Sequence, residues 1–156
     1  MLKYTTHDIV FQEFPDEVTL AVNLSRCPNL CPGCHSAYLQ GDIGEELTPE
    51  RLAALADSYA GDITCVALMG GDNDPESVLL ILSELKKAMP GIHTGWYSGR
   101  TALPECFGEY PAPDYVKTGP WREECGPLSS PHTNQRLYRY HEDGSREDIT
   151  YRFRKK

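Results

Sequence analysis

Residues 63–90 read ITCVALMGGDNDPESVLLILSELKKAMP, and they decide the fold. Ile63 to Met69 is a continuous apolar run, short and rich in β-branched residues, of the kind that lies buried on both faces in a parallel sheet. Gly70-Gly71 stops it. Asp74 and Pro75 then open a helix whose buried stripe, Val78, Ile81, Leu82, Leu85 and Met89, repeats at helical spacing. Lys86 and Lys87 near its end match the helix dipole, and Pro90-Gly91 closes it. A buried strand that runs straight into a helix is half of a β-α-β unit.

The pattern extends in both directions. Upstream, Thr48 can cap a helix with Pro49 at its first position, and Leu52, Leu55, Ala56 and Tyr59 repeat at helical spacing before Gly61 ends it. Before that, Ile9 to Phe14 reads as a strand, Pro15-Asp16 as a turn, and Glu17 to Leu24 as a second strand with Val18, Leu20, Val22 and Leu24 on one face. Downstream, Ile92 to Ser98 and Tyr115 to Thr118 read as strands separated by an irregular stretch with Pro104, Pro111 and Pro113. Leu137–Tyr140, the turn Glu142-Asp143-Gly144-Ser145 and Ile149–Phe153 read as a C-terminal β-hairpin. No internal repeat, low-complexity tract or linker interrupts the chain. The expectation is a single α/β domain whose parallel strands, open or curled into part of a barrel, carry the active face at their carboxyl ends.

The composition agrees: 156 residues, 40% hydrophobic and 24% charged, suffice for one core without disulfides. The net charge of −8 disfavours a protein that coats nucleic acid or an anionic membrane. The halves differ, with 3 basic and 13 acidic side chains in residues 1–78 against 12 and 10 in the rest. No run approaches the ~18 apolar residues of a membrane span. The N-terminus lacks the apolar stretch of a secretion signal, so a cytoplasmic location is expected.

In a reducing compartment six cysteines point to metal or thiol chemistry rather than to disulfides. Cys27, Cys31 and Cys34 stand together directly after the second expected strand, while Cys65, Cys106 and Cys125 are scattered. Cys27-Pro-Asn-Leu-Cys31-Pro-Gly-Cys34-His35 has C-x3-C-x2-C spacing, unlike paired zinc knuckles. Three thiolates on a cubane of four irons leave one iron open to a small ligand. A Cys3His zinc site completed by His35 is the alternative. Cys65 reads as a small core residue; Cys106 and Cys125 have no identifiable partners for a second metal site. Trp96, Tyr97 and Trp121 read as packing residues.

At these residues the chain resembles the radical S-adenosylmethionine (SAM) superfamily, and within it the activating proteins of anaerobic ribonucleoside-triphosphate reductase. Asp8-Ile9-Val10 resembles the family's opening segment, Cys31-Pro32-Gly33-Cys34 its cluster loop and Met69-Gly70-Gly71-Asp72 its glycine-rich SAM turn. Trp96-Tyr97-Ser98-Gly99 sits where relatives carry an aromatic strand ending in Thr-Gly. Asp114–Pro120 looks like their late strand and turn. Ser129-Ser130 through Asn134-Gln135-Arg136 resembles their Gly-Ser-Ser-Asn-Gln segment. The likeness covers about residues 4–136 in order. It departs at Ser36, where relatives often have Asn, at Phe14-Pro15-Asp16, where they have a Gly-rich turn, and at Lys117, where they have Asp.

The resemblance implies a small partial (β/α) barrel of the radical SAM type, with a C-terminal hairpin over about 137–156. It implies a [4Fe-4S] cluster on Cys27, Cys31 and Cys34, and SAM bound beside Gly33, Cys34, His35, Gly70, Gly71 and Asp72. SAM would bind the open iron through its amino and carboxylate groups, and one electron from the reduced cluster would release a 5′-deoxyadenosyl radical. That radical would take hydrogen from a glycine Cα of the reductase. The implied partners are therefore the reductase and a one-electron donor such as flavodoxin or ferredoxin. A radical SAM enzyme acting on a small molecule and a non-catalytic zinc-binding module are the other classes. The glycines would let backbone groups approach SAM closely. The basic excess of residues 136–156, 7 against 4, reads as a solvated hairpin face or as a dock for an acidic patch.

Overall fold

The structure, a computed structural model, describes residues 2–25 and 41–153. Its centre is one mixed sheet of strands β1 (Leu2–Val10), β2 (Thr19–Leu24), β3 (Glu45–Leu47), β4 (Cys65–Met69), β5 (His93–Tyr97), β6 (Tyr115–Thr118), β7 (Arg136–Tyr140) and β8 (Arg146–Asp148). Their order across the sheet is β3-β1-β2-β4-β5-β6-β7-β8. β2, β4, β5 and β6 run parallel, and the flanking pairs are antiparallel. The α/β expectation holds in this form: the sheet is open, with β3 and β8 at its edges.

Both helices form where local signals place them. Thr48 Oγ1 accepts from Arg51 N–H at the start of α1 (Pro49–Ser58), and Asp74 accepts from Ser77 N–H at the start of α2 (Pro75–Ala88). Proline occupies the first turn of each. Their apolar stripes, Leu52 and Ala56 on α1 and Val78, Ile81, Leu82 and Leu85 on α2, bury against Leu20, Val22, Leu24, Val66, Leu68 and Trp96 of the sheet. The opposite face is covered instead by Phe14, Cys65, Ala67, Tyr115, Leu137 and Ile149. Successive residues of a strand point to opposite faces, so β4, β5 and β6 each feed both clusters.

Four expectations are corrected. The first strand is Leu2–Val10 rather than Ile9–Phe14. Phe14 lies in the connection to β2, fully buried, over the space left by Gly95. β3 was not foreseen; its three residues pair with Leu2–Tyr4. In the irregular stretch before β6, residues Glu105–Glu109 form a short 3-10 helix, with the Phe107 ring 5.3 Å from that of Tyr140 and tilted 52° to it. The hairpin's second strand is Arg146–Asp148; Asp148 accepts from the backbone and hydroxyl of Thr150, which winds Thr150–Phe153 into a 3-10 turn. Among the described residues no helix is long and apolar enough to cross a membrane.

Candidate functional site

Strand polarity gathers the chemistry at one end. β2, β4, β5 and β6 share a direction, so the connections leaving their carboxyl ends lie side by side, where open α/β sheets bind ligands. β2 ends at Leu24, immediately before Ser25 and the cysteine-bearing segment, and β4 ends at Met69, immediately before Gly70-Gly71-Asp72. Asn23, Met69, Tyr97 and Lys117 are register partners in the last row of the face opposite the helices. Cys27, Cys31, Gly33, Cys34 and His35 lie outside the described residues.

The glycine turn is tightly determined. Gly70 and Gly71 have φ of 109° and 93°, a region that side chains disfavour. A Cβ on Gly71 would stand 2.4 Å from Val78 Cγ2 and 3.0 Å from Leu24 Cδ1. The core beneath α2 therefore requires this glycine, a cause the sequence reading did not contain. Gly70 donates its N–H to Tyr97 O at 2.9 Å and accepts from the Trp96 indole N–H at 2.7 Å. Asp72, 5% exposed, accepts from Ser98 Oγ at 2.6 Å and from Gly99 N–H at 2.7 Å. Its carboxylate thus ties the ends of β4 and β5 together.

Lys117 continues the lacing into β6. It is buried, donates Nζ–H bonds to Ser98 O at 3.1 Å and Gly119 O at 2.8 Å, and stands 5.5 Å from the centre of the Tyr97 ring. Tyr97 donates its hydroxyl to Glu13 O at 2.6 Å. Burial, with the Glu13 charge, pushes its hydroxyl pKa well above the ordinary range. Next to it an open cleft of about 1050 Å³ is walled by Phe11, Phe14, Tyr97, Trp121, Leu128 and Phe153. A cavity of about 590 Å³ lies between the first turn of α2 and residues 100–106, with Asn73, Glu76, Trp96, Arg100 and Cys106 in its wall. Trp96 is fully buried in the core, as the packing reading has it, and its indole also reaches the Gly70 carbonyl. Ser98 and Lys117 stand in the sequence reading only as parts of quoted segments, with no role at this end, because each acts through a bond to a neighbouring strand.

Cys65 follows the sequence reading: it is buried in the core, which raises its thiol pKa strongly. Cys106 and Cys125 are free thiols, partly exposed. Among the described residues no three His, Cys, Asp or Glu side chains are grouped to hold a metal ion. The flanks of the cysteine-bearing segment are held together. Tyr4 pairs with Leu24 on one side and Glu45 on the other, and Ser25 Oγ donates to Ile43 O.

At the opposite end of the sheet a second polar cluster was unforeseen. Buried Glu17 accepts from Tyr115 OH at 2.8 Å and Thr64 Oγ1 at 2.7 Å, and pairs with His93 Nδ1 at 2.6 Å. Burial, and then the Glu17 carboxylate, push the Tyr115 hydroxyl pKa up. Comparison of the chain with models of protein families, with curated proteins and with solved structures found no match in any of the three.

Proposed function

We propose that the protein is a radical SAM activase that generates a glycyl radical on anaerobic ribonucleoside-triphosphate reductase. One observation carries the reading: the cysteine-bearing segment and the Gly70-Gly71-Asp72 turn follow the same ends of adjacent parallel strands, close enough that a Cβ added to Gly70 would stand 3.5 Å from Leu24. In this reading the open sheet corresponds to the superfamily's partial barrel. Cys27, Cys31 and Cys34 would hold the [4Fe-4S] cluster, with Gly33, Cys34, His35 and the glycine turn beside SAM. Bound together, cluster and SAM would supply a one-electron reductive cleavage that leads to hydrogen abstraction from a glycine of the partner.

The chain's own residues fit such a ligand. SAM brings an ammonium, and Asn73 Oδ1 at the turn is a buried acceptor without a hydrogen-bond partner among the described residues. Asp72 also shapes the turn, its carboxylate accepting from Ser98 and Gly99. The cleft beside Tyr97 opens to solvent, and Phe11 on its rim is 68% exposed. A reactive intermediate needs water excluded, so the reductase's own glycine loop would enter and close the site.

The test is anaerobic reconstitution with iron and sulfide. Replacing Cys27, Cys31 or Cys34 by Ala should abolish the [4Fe-4S] spectrum, and replacing Cys65, Cys106 or Cys125 should not. Reduced protein, SAM and reductase together should then give the doublet EPR signal of a glycyl radical on the reductase, with 5′-deoxyadenosine formed in step. A colourless protein that holds zinc would overturn the reading. So would 5′-deoxyadenosine formed while a small metabolite is consumed and the reductase stays radical-free.

A further inference from the structure

Trp96 is fully buried, and its one polar group, the indole N–H, donates to the Gly70 carbonyl at 2.7 Å. Two residues on, the Asp72 carboxylate takes the Ser98 hydroxyl at 2.6 Å and the Gly99 N–H at 2.7 Å. Ser98 is itself 3% exposed, and its carbonyl accepts from Lys117, which fixes Ser98 from the β6 side. Three side-chain-mediated bonds from the end of β5 thus converge on one short turn. Two successive glycines would otherwise populate many peptide orientations.

The geometry points to Trp96 and Ser98 as positioning residues that aim the peptide groups of the Gly70–Asp72 turn at a bound ligand. A carbonyl oxygen has two lone pairs, and Trp96 occupies one from within the core. The peptide plane is thereby fixed, and the second lone pair is left to accept from a donor such as the SAM ammonium. Ser98 does the same for the following peptides by holding the Asp72 carboxylate, which cannot shift without leaving a buried hydroxyl unpaired. Preorganised acceptors bind without the cost of ordering them first. This inference rests on the SAM-binding reading above.

The experiment uses the full chain, anaerobically loaded with its cluster. SAM is titrated against the wild type, Trp96→Phe, Ser98→Ala and Leu85→Ala, following the SAM-induced change in the EPR spectrum of the reduced cluster. Trp96→Phe keeps an aromatic ring and loses the hydrogen bond, so SAM affinity should fall about tenfold with cluster content unchanged. Ser98→Ala should lower it about three- to tenfold. Leu85→Ala lies in the same core without touching the turn; it should lower the melting temperature and leave SAM affinity within twofold.

A second readout needs no variant at the turn. The chain has two tryptophans, so Trp121→Phe assigns the indole ¹H–¹⁵N signals. The Trp96 indole N–H should exchange slowly and should shift when SAM is added. SAM binding within twofold of wild type in Trp96→Phe, or an indole signal that SAM does not move, overturns the positioning role while leaving the activase reading standing. A loaded wild type that fails to bind SAM removes both.

Discussion

A methyl group on Gly71 would meet Val78 Cγ2 at 2.4 Å, whereas one on Gly61, with a similar φ of 91°, would meet nothing within 4 Å. The pair separates backbone strain from packing. Gly61→Ala should cost about 1 kcal/mol through its φ alone, and Gly71→Ala about 2–4 kcal/mol because α2 must also move. Urea denaturation of both variants checks this, and equal losses would show that the helix yields freely. Glu17 is the other residue on which several strands depend. Glu17→Ala would leave Tyr115 and Thr64 without their acceptor and His93 without its partner, so a loss of about 2–4 kcal/mol is expected in the same assay. The glycine turn after β4 was legible because the apolar run and the two glycines that stop it encode it locally; the cysteine motif lies outside the described residues. The Trp96 and Glu17 bonds were not legible, since each joins residues 26 or more positions apart that no periodicity relates.

Elements were legible to the degree that their signals are local. Both helix starts, each with its cap and first-turn proline, match the structure to the residue. β1 begins seven residues earlier than expected because Lys3 to His7 are polar or aromatic and carry no clear alternation; pairing with β2 and β3 makes them a strand. At the other edge, the Asp148–Thr150 side-chain bonds end β8 early. Between α2, β5, β6 and β7 the decisive tie is Asp114, which accepts from Thr94 N–H at 2.9 Å, Lys86 Nζ at 3.0 Å and Arg139 at 3.2 Å. Burial alone would push its carboxyl pKa up, but these donors outweigh it and hold the pKa below the usual aspartate value. A lowered native pKa means that the contribution is complete above the unfolded value of ~3.9 and is lost as pH falls through the native one. Asp114→Asn should therefore cost about 1–3 kcal/mol at pH 7, with the difference from wild type shrinking below pH 3 in denaturation curves.

At the scale of the molecule, among the described residues two helices pack on one face of the sheet, and loops and the C-terminal strands contribute to the cluster on the other. The hairpin is consequently part of the fold, not an appendage to a core ending near residue 136. Leu137 is fully buried and Tyr140 belongs to the main core. A chain stopped after Gln135 should lose cooperative unfolding and the dispersion of its ¹H–¹⁵N spectrum; a folded truncation would refute this. Of the basic side chains there, the four within the described residues have partners: Arg136 faces Asp148, Arg139 faces Asp114, Arg152 faces Asp16, and Arg146 lies over the Tyr138 ring.

If residues 26–42 hold the proposed cluster, Tyr4 bears on the thermodynamics of loading it. It pairs at once with Leu24 and Glu45, and Ser25 is bonded to Ile43, so the two points between which residues 26–42 are strung are already fixed by the sheet. Closing a free loop of that length costs about 2.5 kcal/mol of chain entropy. Where the sheet is paired, its register meets that cost whatever the segment holds. Binding at the cysteines would then be decoupled from global folding, unlike small metal modules that fold only when loaded, and the empty protein should survive cycles of oxygen damage and repair without unfolding.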